Sequence, residues 1–307
     1  PIYMKGGGIF GWAPGEWTDD TQMAVAILDV IATGSSDLDA IASNFLTWYA
    51  AGPADVGNQT RSVLGSAAIP EDLAVVAVAF MDANPEAAGN GALMRTAPVA
   101  LTALDDRAEI ARLAGSIASL THAHPDSVAA CVLWSLAIQE AITTAEPDRG
   151  FDWEAAVRNG LEHVAEDRME RWDELIAEAV TGPPGLFNPN GWGVTAFQAA
   201  LSAIVNTPEP AEQPSDHLRD ALIAAVRIGH DTDTVAAIAG KPYDDRFHFF
   251  AWGAGRLKLN CCACYHVSNA NLHNGWGSAC LSYPWVSPVT FRRPSVSSTP
   301  ISAMGCC

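Results

Sequence analysis

Positive charge is what this chain has least of: 17 lysines and arginines stand against 35 aspartates and glutamates, a formal net charge of -18. A surplus of that size repels a phosphate backbone and argues against nucleic-acid binding. Long apolar runs are missing too. No stretch approaches the roughly 18 uninterrupted apolar residues of a membrane helix, and no charged-then-apolar leader opens the sequence. The expectation is therefore a cytoplasmic protein with neither a membrane nor a nucleic-acid partner, and a monomer. Cysteine is scarce over most of the length, since six of the seven lie beyond Gly240 and only Cys131 precedes it. The first residue is Pro1 rather than methionine, so a preceding segment is expected.

What is present is apolar residue in quantity, 49% of 307 positions, ample for a packed core. Residues 1–240 are rich in alanine, with apolar positions spaced by three and four and short breaks of Gly, Pro, Asn or Asp. Helices are predicted to begin near Asp20, Asp37, Pro70, Asp106, Pro125, Trp153, Val194, Ser215 and Thr232, with Asp37 and Ser215 suited to capping. No alternation of period two competes with them. The fold class expected is all-α, a single compact multi-helix domain over 1–240. After Gly240 the character changes: eleven basic residues against thirty-three acidic ones become six against two. Lys241-Pro242 is expected to end the last helix at about Gly240, because proline lacks a backbone donor and disfavours helix in the residue before it. Cys261, Cys262 and Cys264 lack the paired C-x-x-C spacing of a structural zinc site. The segment 241–307 reads as an atypical, poorly ordered extension, dispensable for the fold.

Two short segments resemble each other. Thr18-Asp19-Asp20-Thr21 and Asp231-Thr232-Asp233-Thr234 each place carboxylates and hydroxyls immediately before an apolar helix. Aspartates at a helix start are favoured by the macrodipole, so capping alone accounts for one such cluster. It accounts less well for two. Clustered carboxylates and hydroxyls are hard oxygen ligands, suited to magnesium or manganese rather than zinc. Bound divalent cations would also reverse the local sign of an acidic site and let it accept an anionic substrate.

These residues carry a resemblance. G-E-W-T-D-D-T-Q-M-A at 15–24 and G-H-D-T-D-T-V-A-A-I-A-G at 229–240 resemble the two hallmark motifs of the ADP-ribosylglycohydrolase family. Between them, G-N-G-A-L-M-R-T-A-P at 89–98, T-H-A-H-P-D at 121–126 and G-W-G-V-T-A-F-Q-A-A-L at 191–201 are similar to three further family segments, in the family's order. The resemblance implies hydrolysis of the bond between ADP-ribose and an acceptor, which is an ADP-ribosylated protein or an ADP-ribose derivative. It implies two Mg2+ (or Mn2+) held by Thr18, Asp19, Asp20, Asp231, Asp233 and Thr234. It also implies substrate contacts from Asn90, Gly91, Met94, His122, Gly191, Trp192 and Gly193. Plainer readings stand beside these: a tight turn at Gly89-Asn90-Gly91, core packing for Trp192 in place of stacking on adenine, and a structural role for His124.

The sequence departs from the family at its front, where the usual G-D-A-x-G-like helix and its glutamate have no counterpart. Glu16 adjoins the metal motif without matching that glutamate, so no catalytic residue is assigned. Intact aspartate motifs favour an enzyme. The unmatched glutamate favours a non-catalytic ADP-ribose binder or a crystallin-like structural member. No G-x-S-x-G segment is present, which sets a triad hydrolase aside.

Overall fold

The computed structural model describes residues 6–8, 10–144, 150–210 and 216–248, with side chains as far as Gly240. Eleven α-helices run through these residues: α1 (Asp19–Ile31), α2 (Leu38–Ala50), α3 (Asn58–Ser66), α4 (Leu73–Ala83), α5 (Arg107–Ser119), α6 (Pro125–Thr144), α7 (Trp153–Arg158), α8 (Glu166–Thr181), α9 (Gly193–Val205), α10 (Asp216–Arg227) and α11 (Thr232–His248). Among the described residues no β-strand forms, only the isolated bridges Gly7–Trp12 and Gly89–Trp192. The all-α expectation holds.

Side-chain caps explain four of the helix starts. Asp37, Asp106 and Asp152 each turn a carboxylate back onto an amide of the first turn, that of Asp39 at 3.0 Å, Glu109 at 3.0 Å and Ala155 at 2.9 Å. At α6 the cap is His124, whose Nδ1 accepts from the Asp126 amide at 3.1 Å, which gives that histidine the structural role expected of it. Helix α6 is apolar all round and lies at the centre, packed by α5, α7 and α9. It is long and apolar enough to cross a membrane, yet 72% of its apolar window is buried within the domain, as in any core helix. Around it Trp134, Trp172 and Phe197 pack edge to face, with ring centroids 5.2 and 5.1 Å apart.

Three local expectations need correcting. The helix foreseen at Pro70 begins as a 3-10 turn, Pro70–Asp72, and α4 follows from Leu73. Helices α3 and α8 were not foreseen: α3 is polar in composition, and acidic side chains interrupt the apolar spacing of α8. Helix α11 does not stop at Gly240 but continues through Lys241 and Pro242 to His248. Proline fixes φ at a helical value and costs one backbone bond, so it can sit in a helix at a cost without ending it. The expected helix start at Ser215, the cysteines Cys261, Cys262 and Cys264, and the proposed extension beyond 248 lie outside the described residues.

Candidate functional site

The two aspartate motifs sit at the starts of α1 and α11, and those helices pack against each other. Thr18 does not cap α1 with its side chain; its hydroxyl donates to Asp20 Oδ2 at 2.8 Å. Asp19 and Asp20 are both buried, at 8% and 1% exposure. Burial first, then the charges of Asp20, Asp55 and Asp233, push the Asp19 carboxyl up to about 8. Asp233 is raised by burial and then by Asp231, while backbone amides at the helix start pull it back. Asp55 is raised by burial and by Asp231, against a smaller lowering from the Val56 amide and Arg61. Carboxylates from three distant parts of the chain therefore act on one another.

A second layer fixes where Asp231 points. Gly229 and His230 both have positive φ, 88° and 59°, and this left-handed turn leads the chain into α11. Asn190, fully buried, holds it: its Oδ1 accepts from the Asp231 amide at 2.9 Å and its Nδ2 donates to the Gly229 carbonyl at 3.2 Å. Asn90 Nδ2 then donates to Asp231 Oδ2 at 2.7 Å and to the Asn190 carbonyl at 3.1 Å. The 88–91 and 191–193 loops are joined by Gly193 N to Ala88 O at 2.7 Å and Asn90 N to Gly191 O at 3.2 Å. Neither Gly89 nor Gly91 adopts positive φ, so a left-handed turn is not why glycine stands there. At Gly91 a Cβ would lie 3.0 Å from His122 Cε1 and 3.1 Å from Thr60 Oγ1, so close approach is the reason.

Of the expected substrate contacts, Asn90 braces Asp231, and His122 lies against Gly89 and Gly91. Trp192 is half-buried against the core beneath the Arg171 guanidinium, 6.0 Å from its ring centroid. Met94 is a core residue, 4% exposed. Thr234 is buried beside Asp233. Glu16 accepts from the Ala13 amide at 2.6 Å, closing an exposed turn. Sequence reasoning missed Asp55, Asn190, Arg95 and Thr121. Asn190 stands one residue before the Gly-Trp-Gly motif and Arg95 inside the Gly-Asn-Gly segment, so both were in view; Asp55 sits in a loop with no periodicity to mark it.

Among the described residues no three His, Cys, Asp or Glu side chains form a ready-made metal cage. The donor chemistry nevertheless fits a hard divalent cation: the buried Asp19 carboxyl, raised by its acidic neighbours, gains from any added positive charge, and no described ion pair neutralises Asp19, Asp55, Asp231 or Asp233. Two open clefts, of about 600 and 640 Å3, lie elsewhere and include none of these aspartates.

Comparison with known proteins identifies the family. The family model described as ADP-ribosylglycohydrolase matches residues 2–241. The chain is 28% identical to an ADP-ribosylarginine hydrolase of Serratia proteamaculans over 78% of its own length and 61% of the relative's. It is 30% identical to the ADP-ribosyl-[dinitrogen reductase] glycohydrolase of Rhodospirillum rubrum, covering 77% of this chain and 71% of that one. With the ADP-ribosylhydrolase ARH3 of Homo sapiens it shares 28% identity over 73% and 69%. A solved chain titled as an ADP-ribosylglycohydrolase-related protein complex superposes with a TM-score of 0.61 at 23% identity, over 80% of this chain and 76% of that one, a likeness of fold. The chain thus spans about three fifths of the two ADP-ribosylarginine hydrolases it matches, 61% and 60% of their length. By the match over residues 2–241, the chain belongs to the ADP-ribosylglycohydrolase family.

Proposed function

We propose that this protein hydrolyses the glycosidic bond between ADP-ribose and an acceptor, with divalent cations held at the starts of α1 and α11. The observation that carries the reading is that the charges of Asp20, Asp55 and Asp233 all reach the Asp19 carboxyl and raise it, although Asp19 and Asp233 stand more than two hundred residues apart in the sequence. Aspartates that served only as caps would have no reason to meet. Thr18, Asp19, Asp20, Asp231, Asp233 and Thr234 would hold Mg2+ or Mn2+. Bound there, the cations supply counter-charge and polarise ribose hydroxyls.

The chain's own residues do the rest. Asn90 and Asn190 fix the orientation of Asp231 through three hydrogen bonds, so its free lone pairs face a set direction. The glycines at 89 and 91 let the His122 ring pack closely against that loop. Asp55, raised by burial and by the Asp231 charge, adds a further carboxyl to this site. Relatives named for ADP-ribosylarginine and for ADP-ribosylated dinitrogen reductase suggest an ADP-ribosylated side chain as acceptor.

The test is release of free ADP-ribose from ADP-ribosylarginine and from an ADP-ribosylated protein, with Mg2+ or Mn2+ present. The wild type should release it, and Asp233→Ala should lower the rate by more than about 100-fold, beyond the 10–100-fold typical of outer-shell losses. Tight ADP-ribose binding with no release from either substrate would leave a binding module in place of an enzyme.

A further inference from the structure

Arg95 is the one described arginine with no exposure at all, and no described carboxylate forms an ion pair with it. Its guanidinium carbon stands 4.3 Å over the Phe45 ring, Nη1 meets Met23 Sδ at 3.5 Å, and Nη2 donates to Thr121 Oγ1 at 2.6 Å. Its Nε is buried without a partner. A buried cation so sparsely compensated is costly to desolvate. Its presence there calls for a purpose.

Hydrogen-bond direction supplies one. Guanidinium only donates, so Thr121 Oγ1 accepts from Arg95. Thr121 is itself fully buried, and its one hydroxyl proton needs an acceptor. Among the described residues the partner in reach is His122 Nδ1, at 2.7 Å. Nδ1 must then be unprotonated, and the neutral ring carries its proton on Nε2. That nitrogen faces Gly89 and Gly91, and no described hydrogen bond occupies it. Gln59 secures the same two loops by donating to the Thr121 carbonyl at 3.1 Å and accepting from the Gly89 amide at 3.2 Å.

We propose that Arg95 and Thr121 are positioning residues that lock His122 as a neutral Nε2–H donor aimed at the Gly89–Gly91 loop, where it offers a hydrogen bond to a ligand oxygen and cannot serve as a base. Burial and then the Arg95 charge depress His122 to about 3, in keeping with a ring that does not charge. The ligand half of the proposal, an oxygen of ADP-ribose, rests on the function proposed above. The tautomer half does not.

Two-bond proton–nitrogen NMR of the 15N-labelled full chain at neutral pH, with His122 assigned by loss of its signals in His122→Gln, reads the tautomer directly. The wild type and Thr121→Ser should show a proton on Nε2 alone. Thr121→Val and Arg95→Met, checked for retained helicity, should show mixed tautomers. A proton on Nδ1 in the wild type overturns the proposal, and this reading stands even if both disruptive variants fail to fold. An unchanged tautomer in folded Thr121→Val overturns it as well. ADP-ribose titrated into the same proteins should bind about tenfold more weakly to Thr121→Val than to Thr121→Ser, the loss of roughly one hydrogen bond. No binding to the wild type would sink the ADP-ribose reading and leave the tautomer result intact, whereas equal binding to both variants would remove the ligand half of the proposal.

Discussion

At His122, burial and the Arg95 charge hold the imidazole neutral far below its ordinary range, down to about 3. The unfolded chain has no such constraint and takes up a proton near pH 6.5. Below that value the unfolded state binds a proton the folded state refuses, so stability falls as pH drops from about 6.5 toward 3. The slope is at most about 1.4 kcal/mol per pH unit for this one group. Denaturant melts of wild type and His122→Gln at pH 7 and pH 5 isolate it: any stability advantage of the wild type should shrink toward acid. An advantage that stays constant between those values would mean that His122 charges freely in the folded protein.

Among the elements, α8 shows what packing adds to pattern. Trp172 has no exposure and packs edge to face on Phe197, 5.1 Å between centroids. Truncating it to alanine should cost about 3–5 kcal/mol in chemical denaturation, the range for a large aromatic removed from a core. A cost below about 1 kcal/mol would show that α8 contributes little to the core. That helix escaped notice in the sequence because charged residues occupy its first turns and the apolar stripe starts late; the same physics made α6 easy to read. Starts at Asp37, Asp106 and Trp153 were legible because a side-chain cap is local chemistry. The aspartate motifs were legible because clustered carboxylates and hydroxyls stand out in the sequence itself. Asp55, Asn190 and the Arg95–Thr121–His122 chain were not, since each matters only through residues brought to it by folding. Pro242 misled, because a local rule about helix ends does not weigh the helix that precedes it.

Taken whole, the molecule is an acidic protein of net charge -18 that is proposed to handle an anionic ligand. The apparent conflict resolves if the aspartates at the starts of α1 and α11 serve to concentrate cations, which then present the opposite sign to a diphosphate. Helix-on-helix packing allows this by bringing two N-termini to one place, where backbone amides temper the charge of Asp19 and Asp233. The most direct measurement is a calorimetric titration of Mn2+ into the metal-free protein and into Asp231→Ala/Asp233→Ala, with melting curves of both. The wild type should take up the cation and gain about 2.7 kcal/mol of stability at a hundredfold excess over Kd, while the double variant keeps its helicity and shows neither heat nor a raised Tm. Equal binding and equal stabilisation in the two proteins would contradict the account.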